Sequence, residues 1–102
     1  ISRLIKVFPD REKFELISQM RRSSRSVTNN IAEGYGRFHY KENIQFCRIS
    51  RGSLYELLDQ LIIAKEENYI DNQIFENTRL MIMDCIKVLN GFINYLDNAN
   101  SN

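Results

Sequence analysis

With 102 residues, 43% of them hydrophobic and 26% charged, the chain has the size and composition of one globular domain. No apolar run approaches the roughly 18 residues of a membrane span, no signal-peptide pattern is visible, and two cysteines are too few for a disulfide scaffold. The net charge of +1 points to no partner, but its distribution does: residues 21–51 hold seven basic and two acidic side chains, net +5, and residues 52–102 hold three basic and eight acidic, net −5.

One proline and four glycines leave few breaks, so the chain reads as almost entirely helical, a single domain over 1–98 with a disordered tail at 99–102. Residues 1–7, "ISRLIKV", read as the end of a first helix whose beginning is largely missing from the chain, because seven residues give only ~10 Å of helix and a bundle needs more. The "FPD" at 8–10 marks a break. Pro9 disfavours the helical conformation at Phe8, Asp10 is placed to cap a new helix, and Pro9 and Phe14 stand at the staple positions around that cap.

The next predicted helix covers 11–33. Phe14, Ile17, Met20, Ser24, Val27 and Ile31 recur at three- and four-residue steps along one stripe, and Gly34 is the natural left-handed residue just past the end. A connection over 34–40 leads to a helix over 41–67. Its stripe is Ile44, Cys47, Leu54, Leu58 and Leu61, widened by Leu57 and Ile62. Gly52 weakens that helix by ~1 kcal/mol relative to alanine, so the close approach of a neighbouring helix is expected there.

After the turn "ENYIDNQ", Asp71 is placed to cap a last helix over 72–97, with Ile70 and Phe75 as its staple. Phe75, Thr78, Ile82, Ile86, Leu89, Ile93 and Leu96 form its core stripe. A second apolar row follows: Met81, Cys85, Val88, Phe92 and Tyr95. Two rows exceed what one seam requires and suggest a neighbouring subunit. Cys47 and Cys85 lie inside these patterns and read as reduced, small core residues of a cytoplasmic protein.

Two segments are specific enough to name a family. "QMRRSSRSVTNNIAEGYGR" at 19–37 and "RISRGSLYELLDQL" at 48–61 carry the patterns Q-x-R-R…S-x-x-x-N-I-A-E-G-x-G-R and R-G-S-x-x-E-L. The chain resembles the intervening-sequence proteins often encoded within insertions in bacterial 23S rRNA genes. More distantly it is similar to the accessory variability proteins of diversity-generating retroelements. The resemblance implies an antiparallel up-and-down four-helix bundle that assembles as a homopentamer, with no established enzyme activity and no cofactor. For the retroelement relatives it implies binding to nucleic acid and to a reverse transcriptase.

The stretch "SVTNNIAEGYGR" at 26–37 has two readings. In the structural one, Arg37 offsets Glu33 at a helix C-terminus and Asn30 bonds the free carbonyls of the last turn. In the functional one, Arg37 joins Arg21, Arg22, Arg25, Lys41, Arg48 and Arg51 in a basic band on the helices at 11–33 and 41–67. That band would contact RNA or DNA phosphates, with Tyr35, Phe38 and Tyr40 stacking on bases. The alternative is a structural or protein-docking oligomer in which the basic middle meets the acidic second half.

Catalysis and metal binding have little support. His39 is the only histidine and has no ligand-spaced neighbour. Gly34-x-Gly36 follows a helix rather than a strand, unlike a phosphate loop. Ser53 and Glu56 lie one turn apart but lack an orienting base.

Overall fold

Two turns divide the chain into three long helices. The structure, a computed structural model, describes residues 2–37 and 39–101, with side chains over 11–37 and 39–100. Helix α1 runs Ser2–Tyr35, α2 Tyr40–Glu66 and α3 Asn72–Ser101, and the described residues contain no strand. The all-helical expectation holds, with different boundaries.

The break at "FPD" is absent: α1 passes through Pro9 and Asp10 without interruption. The preference of a pre-proline residue against helix is a bias, and a proline that removes one backbone donor leaves the rest of the ladder to carry a long helix. The cap and staple expected there involve the side chains of Pro9 and Asp10, which lie outside the described residues. At the other end, α3 continues to Ser101, so residues 99–101 extend the helix rather than forming a tail.

The turn between α2 and α3 follows local rules. Asn68 takes the left-handed conformation at φ 60°. Its N–H bonds the Lys65 carbonyl at 3.0 Å, and the Tyr69 N–H bonds Ala64 at 2.8 Å. This double closure satisfies two otherwise orphan carbonyls, with asparagine in the place glycine usually takes. Asp71 then caps α3 as expected, its Oδ1 accepting from the Ile74 N–H at 2.8 Å, while Ile70 and Phe75 pack into the core.

The two helix–helix seams differ in kind. Between α2 and α3, Ile44, Cys47, Leu54 and Leu61 meet Phe75, Ile82, Ile86, Leu89, Ile93 and Leu96, all buried. Removing this much apolar surface from water is the main force holding the fold. Between α1 and α2 much of the seam is made of small polar residues that hydrogen-bond across it. Ser23 Oγ donates to Gln60 Oε1 at 3.1 Å, Ser50 Oγ to the Val27 carbonyl at 2.8 Å, and Ser53 Oγ to Ser26 Oγ at 2.8 Å. Among the described residues, those buried on α1 are Leu16, Ser23 and Gly34, and the predicted stripe is only partly covered: Met20 and Val27 pack against the core, Phe14 is 69% exposed, and Ile17 and Ile31 are exposed as well.

Among the described residues, α1 and α3 both pack on α2 and not on each other. The molecule measures 65 × 23 × 13 Å, so it is a layer about one helix thick. An apolar groove of about 560 Å³ lies open between α1 and α3, bordered by Ile17, Met20, Leu57, Ile70 and Thr78. Of the α1 stripe, Ile17, Met20 and Ser24 border it.

Candidate nucleic-acid interface

The α1–α2 turn is built by the close approach of two helices. Gly34 was expected as a left-handed residue beyond the helix end, but no glycine has a positive φ, and Gly34 is buried inside α1. A Cβ there would lie 2.6 Å from Asn43 Oδ1 and 3.0 Å from the Phe46 Cβ. Glycine is present for space, not for backbone freedom. Gly52 is the reverse case: the neighbouring helix expected there is missing, and a Cβ would meet nothing within 4 Å.

Asn30 bonds backwards. Its Nδ2 donates to the Ser26 carbonyl at 2.7 Å and to Ser26 Oγ at 3.1 Å, rather than closing the last turn, because the helix continues past it to Tyr35. Arg37 does meet Glu33, at 3.3 Å, and reaches Glu42 at 4.0 Å on α2. Its guanidinium also sits over the Phe46 ring, 5.1 Å from the centroid. The lock between the helices is real, but it is exposed, and surface pairs of this kind contribute ~0–1 kcal/mol. Tyr35 and Tyr40 are exposed beside it, and His39 is the residue before α2, with no side-chain cap bond. Phe38 lies outside the described residues.

The basic residues separate into groups. Arg21, Arg22 and Arg25 are exposed on α1, within one turn of each other, and none has an ion-pair partner among the described residues. Arg21 and Arg25 border the apolar groove, whereas Arg22 borders a polar cleft between α1 and α2. Lys41 and Arg48 border a third depression, with Asp97 and Asn100 of α3. Arg51 is half-buried, its Nη1 donating to Asn90 Oδ1 at 2.8 Å. The α1 arginines thus border different depressions from Lys41 and Arg48.

The second row on α3 is open. Met81, Val88 and Tyr95 are 67%, 73% and 65% exposed, and the Phe92 and Tyr95 rings stack at 6.4 Å. A largely apolar hollow of about 330 Å³ lies among Asp84, Cys85, Val88, Leu89 and Phe92. Cys85 is therefore exposed, not a core residue. Cys47 is buried, where burial pushes its thiol pKa up and its Sγ donates to Asn43 Oδ1 at 3.5 Å. Both cysteines are free.

Ser53 is committed to Ser26, which leaves no Ser53–Glu56 pair. No group of three or more His, Cys, Asp or Glu side chains converges among the described residues, and no described helix is long and apolar enough to cross a membrane. Sequence reasoning missed the polar cleft. Its signal is a row of Gln19, Arg22, Ser23 and Ser26 at helical spacing, overshadowed by the apolar stripe beside it.

No curated protein matches the chain. The family model for the 23S rRNA-intervening sequence protein matches residues 1–91, which includes both motif segments, all of α1 and α2 and most of α3. The chain belongs to the 23S rRNA-intervening sequence protein family.

Proposed function

We propose that this is a non-enzymatic, self-assembling cytoplasmic protein that binds RNA or DNA through Arg21, Arg22 and Arg25, with Lys41 and Arg48 as a second contact. The observation that carries this reading is the α1 arginine cluster: three guanidiniums within one helical turn, exposed and without an ion-pair partner among the described residues. Guanidiniums held this way pair readily with phosphate oxygens. Arg37 and Arg51, which already have partners, serve the fold instead. The exposed Tyr35 and Tyr40 beside the turn supply rings on which bases stack.

Self-assembly is supported by the α3 row of Met81, Val88, Phe92 and Tyr95 and by the open α1–α3 groove. Exposed apolar surfaces of this kind mark interaction sites. A helix laid in the groove would complete a four-helix bundle. The homopentamer rests on the resemblance alone, as does a reverse transcriptase as protein partner. The same α3 row favours the second reading, a purely structural or protein-docking oligomer.

Titration of labelled single-stranded RNA and duplex DNA at two salt concentrations separates the two. Binding that weakens steeply with salt is expected. Absence of binding at low salt would leave only the docking reading. Light scattering at micromolar concentration tests assembly, and a monomer there would overturn it.

A further inference from the structure

The polar cleft between α1 and α2 is absorbed by neither the packing nor the charge of the arginine cluster. It holds about 400 Å³, within the range of small-ligand sites, and is lined by Gln19, Arg22, Ser23, Ser26, Glu56 and Gln60, all polar. Its floor is built rather than incidental, since Ser23 and Gln60 are 5% and 8% exposed. Ser23 Oγ donates to Gln60 Oε1, which engages the carbonyl end of that amide and leaves its Nε2 without an acceptor among the described residues. That nitrogen is not sealed off, because no buried side-chain donor lacks a partner among the described residues. The accessible space beside it is the cleft.

Ser26 adds a second donor. Its Oγ already accepts from Ser53 and from Asn30, so its lone pairs are occupied and its own proton is left to give. The walls carry opposite charges. Arg22 and Glu56 line the same cleft without forming an ion pair with each other or with any other described residue. An ionised glutamate is acceptor-only, with two oxygens side by side; guanidinium and amide N–H groups are donors. A matching ligand presents two adjacent donors along one edge and acceptors next to them.

Among the nucleobases that description selects guanine. Its N1–H and N2 amino group are adjacent donors, and O6 and N7 are the neighbouring acceptors; adenine and cytosine present one amino group each, and uracil a single N–H. We propose that the cleft takes one unpaired guanine from a single-stranded nucleic acid. Glu56 accepts from N1–H and N2, and Arg22 and the Gln60 amide donate to O6 and N7. Single-stranded bases are read along these edges, and Arg21 and Arg25 on the same helix turn serve the flanking phosphates. This rests on the nucleic-acid reading above and adds a base preference to it.

The test compares short uridine oligonucleotides with one central guanosine, adenosine or inosine, by fluorescence anisotropy at low salt. Guanosine is expected to bind about tenfold tighter than adenosine, as a bidentate base contact gives. Inosine, which lacks the N2 amino group, falls between them. Glu56→Gln should abolish most of the guanosine preference without weakening all-uridine binding, which the loss of one negative charge beside Arg22 favours. Equal affinity for guanosine and adenosine, with salt-sensitive binding intact, overturns the guanine site and spares the nucleic-acid reading. A guanosine preference that survives Glu56→Gln also overturns it. Absence of binding to every oligonucleotide overturns both.

Discussion

The α2–α3 seam and the α1–α2 seam join helices of similar length by opposite means. The first buries a continuous apolar stripe from each side. The second closes largely on serines, a glutamine and a glycine, and leaves Ile17 and Met20 of the α1 stripe bordering an open groove. An apolar seam tolerates wide spacing and derives its strength from area. A small-residue seam requires close approach and derives much of its strength from hydrogen bonds that contribute ~0.5–1.5 kcal/mol each. The two should therefore respond differently to mutation.

The largest effect is expected in the apolar seam. Leu61→Ala, at a side chain 2% exposed, should destabilise the fold by about 2–5 kcal/mol in urea unfolding. Ile17→Ala, on the α1 stripe at 38% exposure, should lose only about 1 kcal/mol. Equal losses would mean that the groove is filled and the contrast between the seams is wrong.

The glycines sharpen the comparison through opposite signs. Gly34→Ala must move Asn43 or Phe46, and overpacking of this kind costs about 1–3 kcal/mol, more than alanine's helix propensity returns. Gly52→Ala enters open space on an exposed helix face and should stabilise by about 0.5–1 kcal/mol. Thermal melts of the pair decide it, and a gain from Gly34→Ala would refute the close approach. Ser50→Ala comes next, removing the bond to the Val27 carbonyl at a residue 0% exposed, for a loss of about 1 kcal/mol.

Arg37→Ala should cost at most about 1 kcal/mol, since both its ion pairs are exposed. Arg22→Ala should change stability by less than about 0.5 kcal/mol while weakening RNA binding. If Arg22→Ala unfolds the protein and Arg37→Ala does nothing, the division between surface and lock is reversed.

The smallest effect lies on α3. The bond from Arg79, at 2.9 Å, holds the exposed Glu76 carboxyl below its ordinary pKa. A carboxylate lowered on folding contributes stability above its unfolded pKa and loses it as pH falls through the folded value. An NMR titration should show Glu76 rising toward the ordinary carboxylate range in Arg79→Ala.

The sequence was legible where burial is apolar. The stripes of α2 and α3, the Asp71 cap and the surplus α3 row all follow from spacing, because hydrophobic periodicity reports a face that avoids water. On α1 the same rule found only part of the buried face: Met20 and Val27 pack against the core, but Phe14, Ile17 and Ile31 are exposed, and the hydrogen-bonded seam runs through Ser23, Ser26 and Gly34, whose small size carries no hydropathy signal. Pro9 reads as a break, yet the residues on both sides sustain one helix. The seven basic residues were legible as an excess, but their division between pairs, grooves and the polar cleft depends on which flank of a helix meets its neighbour.

The central claim is that the α1 arginines contact phosphates. The direct measurement is the dependence of RNA affinity on salt for the wild type and for the combined Arg21→Ala, Arg22→Ala, Arg25→Ala variant. Each lost phosphate contact should flatten the log–log slope by about 0.7 on single strands, so on all-uridine RNA, where no guanine engages Arg22, the variant should be shallower by about 2 while melting as the wild type does. A slope that does not change, or a wild type that binds no RNA at low salt, would contradict the claim.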